Sequence, residues 1–183
     1  MSRTALVPIA DGTEEIEAVC IIDVLRRAGV SVTVASVDQL QVTASRGTKL
    51  VADRPIGECV DETYDLVALP GGMPAVEHLR DSKDLETILK RQRREGRLYA
   101  AICAAPVVVL QHHGLLEGRR ATCHPDFAGQ LRDAAEVKNR VVVDGPCVTS
   151  RGAGTALEFA LKLVERLYDE QEAQKIAERM LVA

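Results

Sequence analysis

Segments typical of strands and of helices alternate along this chain, and the alternation limits the folds open to it. Strand-like composition, apolar or β-branched, marks residues 4–9, 31–37, 65–69, 98–102, 140–143 and 147–150. Helical periodicity marks residues 14–28, 75–80, 84–95, 106–112, 156–168 and 170–181. Residues 41–51 favour one or two short extended pieces around Arg46 and Gly47. Strands alternating with helices build a mostly parallel sheet with helices on both faces, so we predict an α/β fold in one domain over residues 1–183.

The composition of the chain argues against several classes of protein. Hydrophobic residues make up 46% of the 183 positions, which is typical of a globular protein. An aromatic content of 3% and a net charge of −4 argue against nucleic acid as the main partner. The sequence lacks an apolar run of the roughly 18 residues that a membrane span needs, and we expect no signal peptide. The 5 cysteines are odd in number and widely spaced, which favours a reducing cytoplasm over a disulfide framework.

Cys103 stands where the strand at residues 98–102 ends and the helix at 106–112 begins. In parallel sheets the functional crevice lies beyond the carboxyl ends of the strands. A thiol on this turn sits at the positive end of a helix dipole, which favours the nucleophilic thiolate. Small neighbours such as Ala104 suit a backbone that crowds around a nucleophile. An inert core cysteine is an equally good interpretation of the local sequence.

Glu17 is the second candidate, because it falls on the apolar side of its helix. The apolar arc of residues 14–28 consists of Ala18, Ile21, Ile22, Val24, Leu25 and Ala28. A carboxyl group on a core face must find a partner or take up a proton, and desolvation raises its pKa. Such a group suits proton transfer beside a nucleophile. The alternative interpretation is a first-turn carboxylate that complements the helix dipole.

Paired glycines, Gly71 and Gly72, follow the strand at residues 65–69. Glycines at a strand end let the backbone approach a ligand and leave N–H groups free to donate, as in an oxyanion hole. The absence of a following G-K-[ST] argues against a phosphate loop, and an ordinary Pro-Gly turn is the alternative interpretation.

Three further features each have a chemical and a plain interpretation. His124 is either a base near Cys103 or a loop histidine. His112 and His113 suit a helix C-terminal cap better than a metal site, and we predict no metal. Residues 150–155 open the helix at 156–168, where they either bind an anion or merely cap the helix.

Six motifs occur together in one order and at characteristic spacings. They lie at residues 14–17, 45–47, 69–72, 100–106, 122–125 and 150–155. With these motifs, nearly the whole chain resembles the ThiJ/PfpI superfamily, in the branch of the parkinsonism-associated protein deglycase (DJ-one) and bacterial YajL. The resemblance implies a flavodoxin-like three-layer sandwich that forms a homodimer.

The resemblance also implies roles for individual residues. Cys103 would be the elbow nucleophile in a strained backbone conformation, and Glu17 would be the protonated carboxyl that hydrogen-bonds its sulfur. The N–H groups of Gly72 and Ala104 would form the oxyanion hole. The protease-like branch of the superfamily has His directly after the elbow cysteine; here Ala104 stands there, so we expect no peptidase activity.

Outside this core, the resemblance implies that His124 sits nearby and that Arg46 approaches from the dimer interface. We predict anion or interface support from Arg27 as well. The implied activity is a cofactor-independent glyoxalase or deglycase that acts on methylglyoxal-type 2-oxoaldehydes or on glycated proteins. The alternative is an oxidative-stress sensor or redox chaperone that uses oxidation of Cys103.

Overall fold

The computed structural model describes residues 2–182, within which seven strands form one mostly parallel sheet. The strands are β1 (Thr4–Ile9), β2 (Ser31–Ser36), β3 (Gln41–Thr43), β4 (Lys49–Val51), β5 (Arg54–Pro55), β6 (Leu66–Leu69), β7 (Leu98–Ile102), β8 (Val141–Asp144) and β9 (Cys147–Ser150). The sheet has the order β5-β2-β1-β6-β7-β9-β8, and its pairs are parallel except β8 with β9. The predicted mostly parallel sheet is confirmed.

Helices cover both faces of this sheet and produce three layers. They are α1 (Glu15–Arg27), α2 (Ala75–Asp81), α3 (Lys83–Arg94), α4 (Ala156–Leu167) and α5 (Glu170–Arg179). α1, α4 and α5 pack on one face, whereas α2 and α3 pack on the other. Side chains alternate along each strand, so Ala100 and Ile102 of β7 face the first layer, and Tyr99 and Ala101 face the second. Across residues 2–182, no helix combines the length and apolar character that crossing a bilayer requires.

Three local elements refine or differ from the sequence expectations. Residues 41–51 form an antiparallel pair of strands, β3 and β4, separate from the main sheet. β5 was not expected, because two residues that include a proline give no periodic signal. The helix after Cys103 is a short π-helix, Pro106–Gln111, on the same face as α2 and α3. It is therefore shorter and wider than the α-helix that the sequence predicts.

The strands in the middle of the sheet end at nearly the same level. Leu69 lies beside Ala101, and Ile102 lies beside Ser150. The loops that follow β1, β6, β7 and β9 therefore gather at one edge, as expected for the carboxyl ends of parallel strands. The Glu14 N–H donates to the Gly71 carbonyl at 2.9 Å and ties the loop after β1 to the loop after β6.

Candidate active site

Cys103 has a backbone conformation that side chains rarely adopt. Its φ is +67°, in the left-handed region, which costs roughly 1–2 kcal/mol for a residue with a Cβ. Neighbouring segments fix this turn: the Cys103 N–H donates to the Ser150 carbonyl at 3.1 Å, and its carbonyl accepts from the His124 N–H at 2.8 Å. The strained elbow implied by the family resemblance is confirmed.

The two glycines after β6 are required by the close approach of other segments. A Cβ on Gly71 would lie 2.5 Å from Cys103 Cβ and 2.7 Å from Glu17 Oε2. Gly72 has φ +98°, and a Cβ there would lie 2.2 Å from the Gly12 carbonyl oxygen. Because heavy atoms cannot approach this closely, only glycine fits at either position. The ordinary Pro-Gly turn therefore does not account for this pair.

Glu17 is fully buried on the inner side of α1, as its position on the apolar arc predicts. Its Oε2 accepts a 2.7 Å hydrogen bond from the Gly71 N–H, whereas its Oε1 is buried without a hydrogen-bond partner among residues 2–182. Burial raises the pKa of Glu17 to about 7, although the Gly71 N–H opposes this rise. Because its N–H is held by Glu17, Gly71 is not free to donate to an oxyanion, and that part of the sequence prediction is wrong.

Burial and hydrogen bonding act in opposite directions on the pKa of the Cys103 thiol. Burial raises its pKa to about 12, and negative charge on Glu17 acts in the same direction. The N–H groups of Ala104 and Gly72 donate toward the sulfur and oppose the rise. Burial thus opposes the thiolate while two N–H groups favour it, and the expected bias toward the thiolate stays a prediction.

The two acidic groups of the site therefore control each other. Repulsion from Glu17 is present only when its carboxyl group is ionised, and a pKa of about 7 leaves that group partly protonated near neutral pH. A protonated Glu17 no longer repels a thiolate on Cys103. The Glu17 carboxyl group can thus give a proton to, or take one from, a molecule that reacts at the sulfur.

His124 lies at the rim of this pair. A Cβ on Gly152 would be 3.4 Å from His124 Cδ2 and 4.0 Å from Glu17 Oε1, so the ring and the carboxyl group flank the same glycine. His124 Nδ1 accepts from the Asp126 N–H at 3.3 Å, and its side chain is 38% exposed. Its bond to Cys103 is through the backbone alone. The sequence singled out residues 150–155 but did not indicate that Gly152 stands between two candidate side chains.

The two arginines that were predicted to support the site form hydrogen bonds away from Cys103 and Glu17 within the protomer. Arg46 is exposed in the turn between β3 and β4, where its N–H donates to Glu15 at 2.9 Å and its guanidinium donates to the Ser45 carbonyl. Arg27 pairs with Asp23 at 2.6 Å, about 15 Å along α1 from Glu17 at a rise of about 1.5 Å per residue. The prediction that Arg27 supports the site is wrong within one protomer. The predicted interface roles of both arginines stay predictions.

Of the two histidines predicted to cap the helix after Cys103, His113 has structural partners, whereas His112 is exposed and only packs edge-on against the His113 ring. His113 is nearly buried and bonds the Arg80 carbonyl at 2.9 Å, with Glu86 at 3.4 Å from its other ring nitrogen. It thereby fastens the chain after the π-helix to α2 and α3. Among the described residues 2–182, no three His, Cys, Asp or Glu side chains group as metal ligands would.

Sequence comparison decides the family of this chain. A family model described as the DJ-1/PfpI family matches residues 3–166. The chain belongs to the DJ-1/PfpI family. It is 47% identical over 184 residues to Protein DJ-1 homolog A of Arabidopsis thaliana, which covers 99% of this chain and 47% of that protein. The chain thus spans about half the length of that relative.

Two further relatives match the chain along almost its whole length. The glutathione-independent glyoxalase DJR-1.2 of Caenorhabditis elegans is 33% identical over 184 residues, covering 100% of this chain and 97% of that protein. The structure titled Toxoplasma gondii DJ-1, oxidized, superimposes with a TM-score of 0.96 at 50% identity, covering 100% of both chains. The DJ-1 branch of the superfamily and the three-layer fold, both expected from the sequence, are confirmed.

Proposed function

We propose that this protein is a cofactor-independent glyoxalase that converts 2-oxoaldehydes such as methylglyoxal into 2-hydroxy acids. The main observation in support of the proposal is that a thiol and a buried carboxyl group lie next to each other at Gly71. Cys103 Cβ and Glu17 Oε2 both lie within 2.7 Å of the position of a Cβ on that glycine. A family relative named as a glutathione-independent glyoxalase supports the same activity.

The reaction begins with addition of the Cys103 sulfur to the aldehyde carbon, and the thiol proton passes through Glu17 to the former aldehyde oxygen. A hemithioacetal forms, and its oxygen lies toward the N–H groups of Ala104 and Gly72, which stabilise developing negative charge. Glu17 takes the proton from the former aldehyde carbon and returns a proton to the neighbouring keto carbon. The hydroxyl proton of the hemithioacetal passes to the keto oxygen in the same rearrangement, so the first carbon is oxidised to a thioester, the second is reduced to an alcohol, and no external oxidant is consumed. Water then cleaves the thioester, releases the 2-hydroxy acid and restores the thiol.

Deglycation is an extension of the same chemistry. Hemithioacetal and hemiaminal adducts of 2-oxoaldehydes with protein thiols and amines release the aldehyde reversibly. We propose that Cys103 captures that aldehyde or attacks the adduct itself. Peptide hydrolysis is not part of the proposal, because Ala104 follows Cys103 and His124 reaches it only through the backbone.

Turnover of methylglyoxal to lactate tests the glyoxalase proposal. We expect activity in the wild type, loss of activity in Cys103→Ser, and a decrease of at least about 100-fold in Glu17→Gln, because a positioned acid–base group contributes about 10²–10⁴-fold. Glu165→Gln, a partly exposed carboxyl group on α4, is the matched control and should keep full activity. Equal rates in all four proteins would refute the proposal.

A second candidate function is redox sensing at the same sulfur. The amides of Ala104 and Gly72 that face the sulfur would also hold the oxygens of a sulfinate, and the similar Toxoplasma gondii structure is titled as oxidized. Peroxide would supply the oxidising equivalents and oxidise the thiolate first to sulfenic and then to sulfinic acid. Mass spectrometry after graded peroxide should show addition of two oxygens in the wild type and none at this site in Cys103→Ser. A stable sulfinate together with negligible aldehyde turnover would favour sensing over catalysis.

We propose a homodimer formed through the outer side of α1. Ile16 is 53% exposed and Val19 is 49% exposed, and the spacing of three residues puts both on that side of the helix as one apolar patch. The adjacent turn between β3 and β4 is tied to α1 by Glu15, which accepts from Ser45 Oγ at 2.8 Å. Light scattering should give twice the chain mass for the wild type and a monomer for Ile16→Glu. Tyr168→Glu, at another exposed apolar position, is the control.

We also propose that the protein is located in the cytoplasm. All 5 cysteines carry free thiols in the structure, including the buried Cys59, Cys123 and Cys147. Thiols persist in a reducing compartment, whereas oxidising compartments favour disulfides. Fractionation of cells that express the tagged chain tests the location, and recovery from an oxidising compartment would contradict it.

A further inference from the structure

Glu14 and Glu17 are joined through Gly71 by a closed ring of three hydrogen bonds. The Glu14 N–H donates to the Gly71 carbonyl at 2.9 Å, and the Gly71 N–H donates to Glu17 Oε2 at 2.7 Å. The ring closes where the Glu17 N–H donates to Glu14 Oε2 at 2.8 Å. Both carboxyl groups therefore have fixed positions, that of Glu14 on the main chain of Glu17 and that of Glu17 on the main chain of Gly71.

Glu14 is the N-cap residue of α1, a position at which glutamate is not among the preferred residues. Serine, threonine, aspartate and asparagine are preferred there, because their short side chains reach the free N–H groups of the first helical turn. Glutamate satisfies the same N–H group and adds a carboxylate, which the positive end of the helix favours. Capping alone therefore does not explain glutamate at this position.

The folded structure confines Glu14 beside Glu17. A Cβ on Gly72 would lie 2.4 Å from the Glu14 nitrogen, so the loop after β6 packs directly against this residue. Glu14 is only partly exposed, and its carboxylate would have to give up the Glu17 N–H in order to move into solvent. Repulsion between the two carboxylates is therefore retained in the folded protein.

The charge of Glu14 acts on the buried side of the site. Burial raises the pKa of Glu17 to about 7, the Gly71 N–H opposes this rise, and the charge of Glu14 adds to it. Burial also raises the pKa of the Cys20 thiol, one turn further along α1, and the charge of Glu14 acts in the same direction there. One partly exposed carboxylate thus disfavours negative charge on two groups of the same helix.

Other elements bring Cys103 and His124 toward Glu17. Cys103, after β7, carries a thiol whose pKa is raised by burial to about 12, and the His124 ring flanks the same glycine as Glu17 Oε1. The α4 side chains that pack against α1 in the core are apolar, among them Ala156 and Phe159. Within the described part of the chain, the charge that acts on Glu17 through space is that of Glu14.

We propose that Glu14 is a positioning residue that keeps the proton on Glu17. Its carboxylate, fixed on the first turn of α1, opposes a second negative charge on the buried neighbour. An acid–base group is most effective when it is poised near the operating pH, because it must both accept and donate a proton. The catalytic use of that proton rests on the proposed function, whereas the effect on Glu17 can be measured without turnover.

NMR titration of the Glu17 carboxyl carbon tests the inference in the whole chain, with glutamate labelled at that carbon and the signal assigned by its loss in Glu17→Gln. Glu14→Gln keeps a capping oxygen but no charge. We expect it to move the Glu17 midpoint to lower pH, so that the ratio of protonated to ionised Glu17 near neutral pH decreases by about 10-fold. Glu15→Gln is the matched control and should leave the midpoint unchanged, because Glu15 accepts from Ser45 and Arg46 on the turn between β3 and β4.

Two further variants separate the charge of Glu14 from its capping role. Glu14→Asp keeps both the cap and the charge and should stay near the wild-type midpoint, whereas Glu14→Ser keeps the cap alone and should match Glu14→Gln. An unchanged midpoint in Glu14→Gln, or an equal change in Glu15→Gln, would overturn the inference. Equal midpoints in Glu14→Asp and Glu14→Ser would also overturn it, because the change would then not depend on charge.

The pH dependence of kcat/KM for methylglyoxal gives a second measurement. The limb of the profile that is set by Glu17 should move to lower pH in Glu14→Gln by the same amount as the NMR midpoint. Absence of methylglyoxal turnover in the wild type would refute the glyoxalase proposal, while the NMR titration would still decide whether Glu14 controls the proton on Glu17.

Discussion

Replacement of Glu17 by glutamine should make the protein more stable near neutral pH. The wild-type carboxyl group is fully buried, and burial raises its pKa from the ordinary 4.5 to about 7. Glutamine keeps nearly the same shape and carries no ionisable proton. The comparison therefore isolates the free energy required to ionise Glu17 in the folded protein.

The sign follows from proton linkage. A group whose pKa is higher in the folded state than in the unfolded state contributes stability that is complete below pH 4.5 and is lost as the pH rises to about 7. At about 1.4 kcal/mol for each pH unit, a rise from 4.5 to about 7 corresponds to about 3 kcal/mol. The free energy of unfolding of Glu17→Gln minus that of the wild type should therefore grow by about 3 kcal/mol across this range.

Equilibrium unfolding in urea at a series of pH values measures this difference. The same series on a Cys103→Ser background removes the neighbouring thiol, and the slope should persist because burial is the largest cause of the raised pKa. Glu165→Gln serves as the control for the substitution itself, and its difference from the wild type should lack this rise. A difference between wild type and Glu17→Gln that stays constant with pH would refute the argument that Glu17 is held protonated by burial.

Three further predictions follow from the same region and from the core. Glu17→Gln should speed alkylation of Cys103 at alkaline pH, measured by intact mass, because repulsion from the carboxylate raises the thiol pKa. Gly71→Ala should cost about 1–3 kcal/mol in urea unfolding and abolish turnover, since its Cβ would lie 2.5 Å from Cys103 Cβ. Gly154→Ala, with nothing within 4 Å, should change stability by less than about 0.5 kcal/mol. Phe159→Ala, fully buried, should lower the free energy of unfolding by about 3–5 kcal/mol.

Periodicity predicts most of the architecture because it reflects burial of one side of an element. The helical arc placed Glu17 among core residues, and the structure buries it completely on α1. The alternating segment at residues 31–37 became β2, Ser31–Ser36, and the apolar run at 98–102 became β7 with the same bounds. These features depend on neighbours close in sequence, so one chain is enough to find them.

The chemistry of the site depends on contacts between distant segments. The local sequence does not contain those contacts, so predictions about hydrogen bonding and pKa at the site were less accurate. The N–H of Gly71 looked free to donate, but α1 brings the Glu17 carboxyl group onto it across 54 positions. The sequence indicated a thiol activated by a helix, but it did not show the burial beside Glu17 that raises the pKa of Cys103. The unpartnered Oε1 of Glu17 has no sequence signature, because a missing hydrogen-bond partner becomes visible only when the fold is assembled.

The single helix α1 carries a proton-binding group on its inner side and exposed apolar residues on its outer side. Glu17 faces Gly71, whereas its neighbour Ile16 and nearby Val19 face outward. If two copies associate through those outward residues and shift α1, the proton affinity of Glu17 changes with assembly. Reciprocity then requires the assembly constant to vary with pH by the same free energy. An adjustment of helix position at the outer surface would in this way set how readily the buried sulfur reacts.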